Sequence, residues 1–278
     1  MSKVSAVKWL TMGITTFILL ALVLYAGINA YLYVFQRNLL YHPVKEMAGP
    51  ATYGVADTEK IDLTTSDNVK IVAWYKKTKF GKPVMLYLHG NAGNLSDRAE
   101  KLKAFLAKDM GMLAVSWRGF GGSDGSPTEE GLYNDARAAI KYLSDNGIKP
   151  ENIFFYGESL GSGVAVQMAT EFEVRAMVLE APYTSISSRA AELYPYIAVK
   201  LLLKDHFSSI EKIGKVHTPV MIFHGYLDNV MPVTHGRRML EAANEPKEAR
   251  IFDHTGHTDF NFDEIAQLTH DFVSKYGK

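Results

Sequence analysis

The pentapeptide Gly157-Glu158-Ser159-Leu160-Gly161 fits G-x-S-x-G. It follows the apolar run IFFY and precedes the helical pattern LGSGVAVQMAT. A strand, a tight turn at serine and a helix form the context of a nucleophile elbow. Glycines flank the serine because the turn is too tight for large side chains. The helix N-terminus places partial positive charge where an oxyanion forms. A serine hydroxyl is a poor nucleophile until a base takes its proton. Two later segments supply the partners. VMIFHG-Tyr226-Leu227-Asp228 puts an acid after one strand pattern, and ARIFDHTG-His257 puts a histidine after the next. Ends of parallel strands converge on one edge, so Ser159, Asp228 and His257 can meet there. Asp228 would orient the imidazole and stabilise its protonated form. His254 competes for the base and Glu180, closing VLEAP, for the acid; His224 reads as a structural residue at a strand end. The run VMLYLHG leads into His89-Gly90-Asn91-Ala92-Gly93-Asn94. Backbone N–H groups of Asn91 and Leu160 are the expected oxyanion donors.

Other chemistries fit poorly. The chain has no cysteine, which excludes a disulfide framework, thiol catalysis and thiolate metal sites. The histidines lack the helical i, i+4 spacing around an acid that a metal site uses, so neither a metal nor a cofactor is expected. The loop WRGFGGSDG lacks the Lys-Ser/Thr ending of a phosphate-binding loop, and Arg118 within it suits a structural role. Lys plus Arg balance Asp plus Glu at 30 each, unlike a nucleic-acid binder.

Elements must position these residues. Strand patterns occur at IDLTT, VKIVAWYKK, VMLYLHG, MLAVSW, IFFYGES, AMVLEAP, VMIFHG and ARIFDHTG. The first two are joined by Ser66-Asp67-Asn68, which suits a hairpin. The others are short, continuously apolar runs, as in strands covered on both faces. Helical patterns lie at Asp97–Ala107, Thr128–Ser144, Leu160–Thr170, Pro232–Ala243 and Phe262–Lys275. Alternation of this kind predicts a three-layer α/β domain with a mostly parallel eight-stranded sheet flanked by helices. Ser126-Pro127-Thr128-Glu129 reads as a capping box, with Ser126 as N-cap and Pro127 in the first helical position.

The N-terminal part is of another kind. No charge occurs from Trp9 to Phe35, long enough for a bilayer core of about 20 residues, with Trp9 at one end and Tyr31 and Tyr33 at the other. An uncleaved transmembrane anchor over residues 1–35 is expected; a cleaved signal peptide and a buried helix are the alternatives. Lys3 and Lys8 precede the span and Arg37 and Lys45 follow it, a slight bias that favours a catalytic domain on the non-cytoplasmic side of a single-pass anchor. Residues 36–56 read as a linker and 57–278 as the catalytic domain. Within it, Ile186–Val216 is too long for a simple connection and is rich in apolar residues, as lids are. Tyr183, Leu201 and Leu202 are the candidates to touch substrate.

Taken together, the chain resembles the α/β-hydrolase superfamily. More narrowly, it is similar to the bud-emergence-type membrane-anchored serine hydrolases, related to depalmitoylating acyl-protein thioesterases. HGNAGN, WRGFGGSDGSP, GESLG, EAPYTS, HGYLDNVMP and GHTDF stand in the family's order over nearly the whole chain. The resemblance implies Ser159, Asp228 and His257 as triad and Asn91 and Leu160 as oxyanion donors. One departure is Thr258, where relatives often carry Asn between His and Asp. The expected activity is cleavage of carboxylic esters or thioesters through an acyl-enzyme. Expected partners are the lipid bilayer and a small-molecule or lipidated ester or thioester, with no nucleic acid. A non-catalytic membrane-anchored scaffold on the same fold, or a serine peptidase of the superfamily, are the alternative readings.

Overall fold

A computed structural model describes residues 3–79 and 81–276, with side chains from residue 7 onward. The outer limits of the expected anchor and domain, residues 1, 2, 277 and 278, lie outside the described residues, as does Phe80. The strands are β1 (Glu59–Thr64), β2 (Lys70–Lys76), β3 (Val84–Leu88), β4 (Gly111–Val115), β5 (Ile153–Glu158), β6 (Ala176–Glu180), β7 (Val220–Gly225) and β8 (Lys247–Phe252). They form one eight-stranded sheet in the order β8-β7-β6-β5-β3-β4-β2-β1. β1 and β2 are the antiparallel hairpin read from Ser66-Asp67-Asn68, and β2 also runs antiparallel to β4. All other neighbours are parallel.

The helices are α1 (Lys3–Leu40), α2 (Ala99–Leu106), α3 (Glu129–Asp145), α4 (Leu160–Glu171), α5 (Ile186–Leu193), α6 (Val199–Leu202), α7 (Val233–Ala242) and α8 (Phe262–Lys275). Each face of the sheet builds its own core. Val84, Leu86 and Leu88 of β3 belong to the core shared with α3, α4 and α7, while Met85 and Tyr87 belong to the one shared with α2 and α8. Period-two alternation sends successive side chains to opposite faces, so a strand apolar at every position must be covered twice. The parallel register then aligns strand ends: Glu158 lies beside Glu180, Glu180 beside Phe223 and Gly225 beside Phe252. The loops carrying Ser159, Asp228 and His257 therefore leave along one edge.

Two local expectations are corrected. The N-cap of α3 is Thr128, whose hydroxyl accepts from the Gly131 N–H at 2.9 Å; Ser126 and Pro127 lie before the cap. The expected partner, Glu129, is engaged both from outside the helix and from its next turn. Its carboxylate accepts from the His206 N–H at 2.6 Å and from the Tyr133 hydroxyl at 2.7 Å. The segment 36–56, read as a linker, is folded onto the domain. α1 continues through Leu40, and Arg37 pairs with buried Asp205 at 2.8 Å. His42 and Pro43 then pair in parallel with Ala92 and Gly93.

α1 itself is a candidate membrane span. Its most apolar stretch has no part buried against the protein, and Trp9, Phe17, Leu20, Val23 and Leu24 are all exposed.

Candidate active site

Ser159 sits between β5 and α4 with φ 48° and ψ −113°. This is a sparsely populated conformation for a residue with a Cβ, and it is held by packing on both sides. A Cβ on Gly157 would lie 2.6 Å from the Gly161 carbonyl oxygen and 2.7 Å from the Ser162 Cα. One on Gly161 would overlap the Leu88 carbonyl at the end of β3. Glycine is required at both positions because helix and strand backbones touch, which brings the N-terminus of α4 directly beneath the serine.

His257 Nε2 lies 3.0 Å from Ser159 Oγ, and His257 Nδ1 lies 2.7 Å from Asp228 Oδ2. The other carboxylate oxygen accepts the N–H groups of Val230 at 2.9 Å and Met231 at 2.7 Å. Burial opposes the charge on Asp228, but the His224 and His257 imidazoles hold its carboxyl well below the ordinary range. The His257 loop is seated by the Gly256 N–H on Asp259 at 2.7 Å and by the Leu227 N–H on the Thr255 carbonyl at 3.0 Å. A Cβ on Gly225 would collide with the carbonyls of Thr255 and Gly256, so the acid and histidine loops approach through another glycine. Neither of the other two nearby histidines faces Ser159 in this line, although His224 Nε2 lies 3.5 Å from Asp228 Oδ2. His254 is exposed, and His224 is buried with Nε2 donating to the Met231 carbonyl at 2.7 Å.

Glu180, the rival acid, belongs to a network that sequence reasoning missed. Lys101 donates to Glu158 at 2.8 Å and to Glu180 at 2.7 Å, and Arg98 donates to Glu158 at 2.9 Å. Tyr87 and Tyr156 donate to Glu158 and Glu180 respectively. Two carboxylates and two cations thus lie beneath the elbow, with Glu158, Glu180 and Lys101 buried and Arg98 partly so. The faint signal was the acid at strand positions in YGES and VLEAP, each otherwise apolar. Burial opposes ionisation of Glu158, yet Lys101 and Arg98 hold its carboxyl far below the usual range. Burial pushes Glu180 the other way, since it shares a single cation. Removing one member of such a set leaves an uncompensated buried charge.

Asn91 and Leu160 both border the cavity above Ser159. Among the described residues, neither backbone N–H has an acceptor. The Asn91 amide donates to the Leu40 carbonyl at 2.7 Å, and its own carbonyl accepts from the His42 N–H at 2.8 Å. The loop is thereby tied to the end of α1. Of the substrate candidates, Tyr183 and Leu202 line the cavity, with the Tyr183 hydroxyl on the Leu160 carbonyl at 3.0 Å. Leu201 does not: it is 85% exposed. The single turn of α6 presents Val199, Leu202 and Leu203 inward, and the helical phase turns Leu201 out. The cavity measures about 330 Å³. Its unforeseen wall is α1, through Leu32, Tyr33, Gln36, Leu39 and Leu40.

His89 precedes the Asn91 loop and is fully buried between Trp117 and Phe120. Nδ1 donates to the Gly90 carbonyl at 2.8 Å and Nε2 accepts the Trp117 N–H at 3.4 Å, so the ring is neutral. Burial, and then the charge of Arg98, push the imidazole down to about 3. The unfolded chain protonates near pH 6.5, so the stabilisation is complete above that pH and lost as pH falls toward 3. This one group contributes at most ~1.4 kcal/mol per pH unit across that window. In His89→Asn, whose amide nitrogen stands near the position of Nδ1, guanidinium unfolding in micelles between pH 7 and 4 is expected to lose about one proton of pH dependence. Equal slopes for both proteins would clear His89 of that role.

Fold and site geometry define a hydrolase of the α/β class. The profile of the alpha/beta hydrolase fold matches residues 83–207. An uncharacterised Mycobacterium tuberculosis protein is 36% identical over 237 residues, covering 84% of each chain. Protein bem46 of Schizosaccharomyces pombe is 30% identical, covering 73% of each. An esterase of Pyrococcus furiosus superposes with a TM-score of 0.71 at 20% identity, over 85% of this chain and 100% of its own, a likeness of fold. The chain belongs to the α/β-hydrolase superfamily and, within it, is related to the bem46 proteins.

Proposed function

We propose that this chain is a membrane-anchored serine hydrolase that cleaves carboxylic esters or thioesters with an apolar acyl group. The observation that carries the reading is the line Ser159–His257–Asp228 at the floor of an apolar cavity. In the reaction, Ser159 Oγ attacks the carbonyl carbon while His257 Nε2 takes its proton. The carbonyl oxygen becomes an oxyanion, facing the N–H groups of Asn91 and Leu160. Collapse breaks the bond to the alcohol or thiol, which leaves with the proton from His257. Water then adds to the acyl-serine, giving its proton to His257, and the carboxylic acid departs as Ser159 regains a proton. Asp228 accepts the Nδ1–H throughout and stays ionised.

The segment Ile186–Val216 acts as a lid over the acyl group, and α1 holds the domain at the bilayer. Each methylene taken from water contributes about 0.8 kcal/mol, so kcat/KM on p-nitrophenyl esters is expected to rise by up to about fourfold per methylene from acetate toward medium chains. Leu202→Asp, which puts a charge on the cavity wall, should flatten that rise while acetate turnover persists. A wild-type profile that peaks at acetate would remove the apolar acyl group from the reading. Labelling by a fluorophosphonate tests the serine itself.

A further inference from the structure

The cavity wall contributed by α1 extends into the apolar part of the helix. The segment Tyr194–Lys204 follows α1 for several turns. The Tyr25 hydroxyl donates to the Tyr196 carbonyl at 2.8 Å. The Gln36 amide donates to the Leu202 carbonyl at 3.2 Å and accepts the Lys204 N–H at 2.6 Å. The Lys204 ammonium lies 4.4 Å from the centroid of the Tyr33 ring. Tyr33, Lys204 and Arg37 form a polar and aromatic level of the kind found at headgroups. Tyr25 stands eight residues before Tyr33, about 12 Å further along the helix. Whatever meets Tyr25 is therefore carried toward the hydrocarbon.

The chemistry at that level suits an apolar medium. The Tyr25 hydroxyl and the Tyr196 carbonyl satisfy one another, as polar groups beyond the reach of water must. The tip presents large apolar and aromatic side chains outward: Tyr196 is 87% exposed and Leu201 is 85% exposed. Lys200, exposed on the same turn, has a stem long enough to return its charge to the headgroups. The outer surface of the segment is continuous with that of α1, and both line the cavity above Ser159 on their inner sides.

We propose that the tip Tyr194–Leu202 is embedded beside α1 in one leaflet, and that the acyl chain of a bilayer-resident ester reaches Ser159 between α1 and this tip without crossing water. The proposal rests on the ester-hydrolase reading and names where its substrate resides. A long acyl chain that passed through water would expose every methylene; passage between α1 and the tip keeps it covered.

Because the chain has no cysteine, Tyr196→Cys and Leu201→Cys each create one labelling site. The full-length variants, carrying nitrobenzoxadiazole in phosphatidylcholine nanodiscs, are expected to be quenched severalfold more by doxyl-labelled lipid than Lys141→Cys. Lys141 lies on α3, about 18 Å along the helix from Glu129, whose N–H donates to Asp205. Quenching no greater than at position 141 overturns the docking. In the same nanodiscs, Tyr196→Asp should hydrolyse 4-methylumbelliferyl palmitate at least tenfold more slowly than wild type and soluble p-nitrophenyl butyrate within twofold of it. An unchanged palmitate rate overturns entry from the leaflet. The quenching arm reads the docking independently of catalysis. Wild type inert toward soluble butyrate, together with strong quenching in the labelled Tyr196→Cys and Leu201→Cys variants, would fail the hydrolase reading and leave the docking standing.

Discussion

Ser159→Ala is expected to lower kcat for ester hydrolysis by roughly 10⁶-fold, on the scale seen when a nucleophile that acts as a unit with its base is removed. Covalent labelling by a fluorophosphonate should vanish with it. The fold should persist, since alanine keeps the Cβ that the elbow already accommodates and loses a hydroxyl whose side-chain contact is His257 at 3.0 Å. The strained φ of 48° is unchanged by the substitution, so no relief or added strain enters the comparison. Circular dichroism and thermal midpoint of wild type and variant in the same micelle check the fold; active-site titration checks the chemistry. Ser162 is the next serine along the chain, in α4, buried and with no partner for its hydroxyl among the described residues. Undiminished labelling of the variant, at Ser162 or elsewhere, would end the assignment of Ser159.

Asp228→Asn is expected to lower kcat by about 10⁴-fold with KM little altered. The loss comes from the tautomer that His257 is forced to adopt. An asparagine oxygen at the Oδ1 position still accepts from the Val230 and Met231 N–H groups, so the loop keeps its shape. Its amide NH₂ then faces His257 Nδ1, where the carboxylate had been an acceptor. Nδ1 must accept rather than donate, the ring proton moves to Nε2, and Nε2 can no longer take the proton of Ser159. Since the Asp228 carboxyl is held well below its ordinary range, the wild-type acid stays ionised across the working pH range. Glu180→Gln is the comparison. Glu180 bonds Lys101 and Tyr156, so its neutralisation should act on stability first. Rate profiles with substrate saturated, set beside unfolding curves, separate the two. A larger loss of kcat in Glu180→Gln than in Asp228→Asn would transfer the acid's role.

The line Ser159–His257–Asp228 was legible in the sequence because each member is announced locally. A serine between glycines at a strand–helix junction, an acid after the next-but-one apolar run and a histidine after the last are all strand-end positions. A parallel sheet has one way to bring such ends together. The five main helical patterns were readable for a related reason: hydrophobic periodicity is a property of short segments. What the sequence could not determine depends on which distant groups compete for the same partner. Thr128 caps α3 while Glu129 is taken by the Tyr133 hydroxyl one turn along and by the His206 N–H, a demand from a residue 77 positions away. The phase of α6, which turns Leu202 into the cavity and Leu201 out, is set by where a single helical turn lands on α5 and α1. Lys101 and Arg98 look like exposed helix charges until Glu158 and Glu180 arrive from two strands to bury them. Residues 36–56 look like a tether because nothing local orders them. Arg37, Leu40 and His42 find their partners at Asp205, Asn91 and the Asn91 carbonyl, far along the chain. Tertiary structure alone therefore decided that the apolar N-terminal helix is also a wall of the site, since the contacts that make it so join residues about 50 to 170 positions apart.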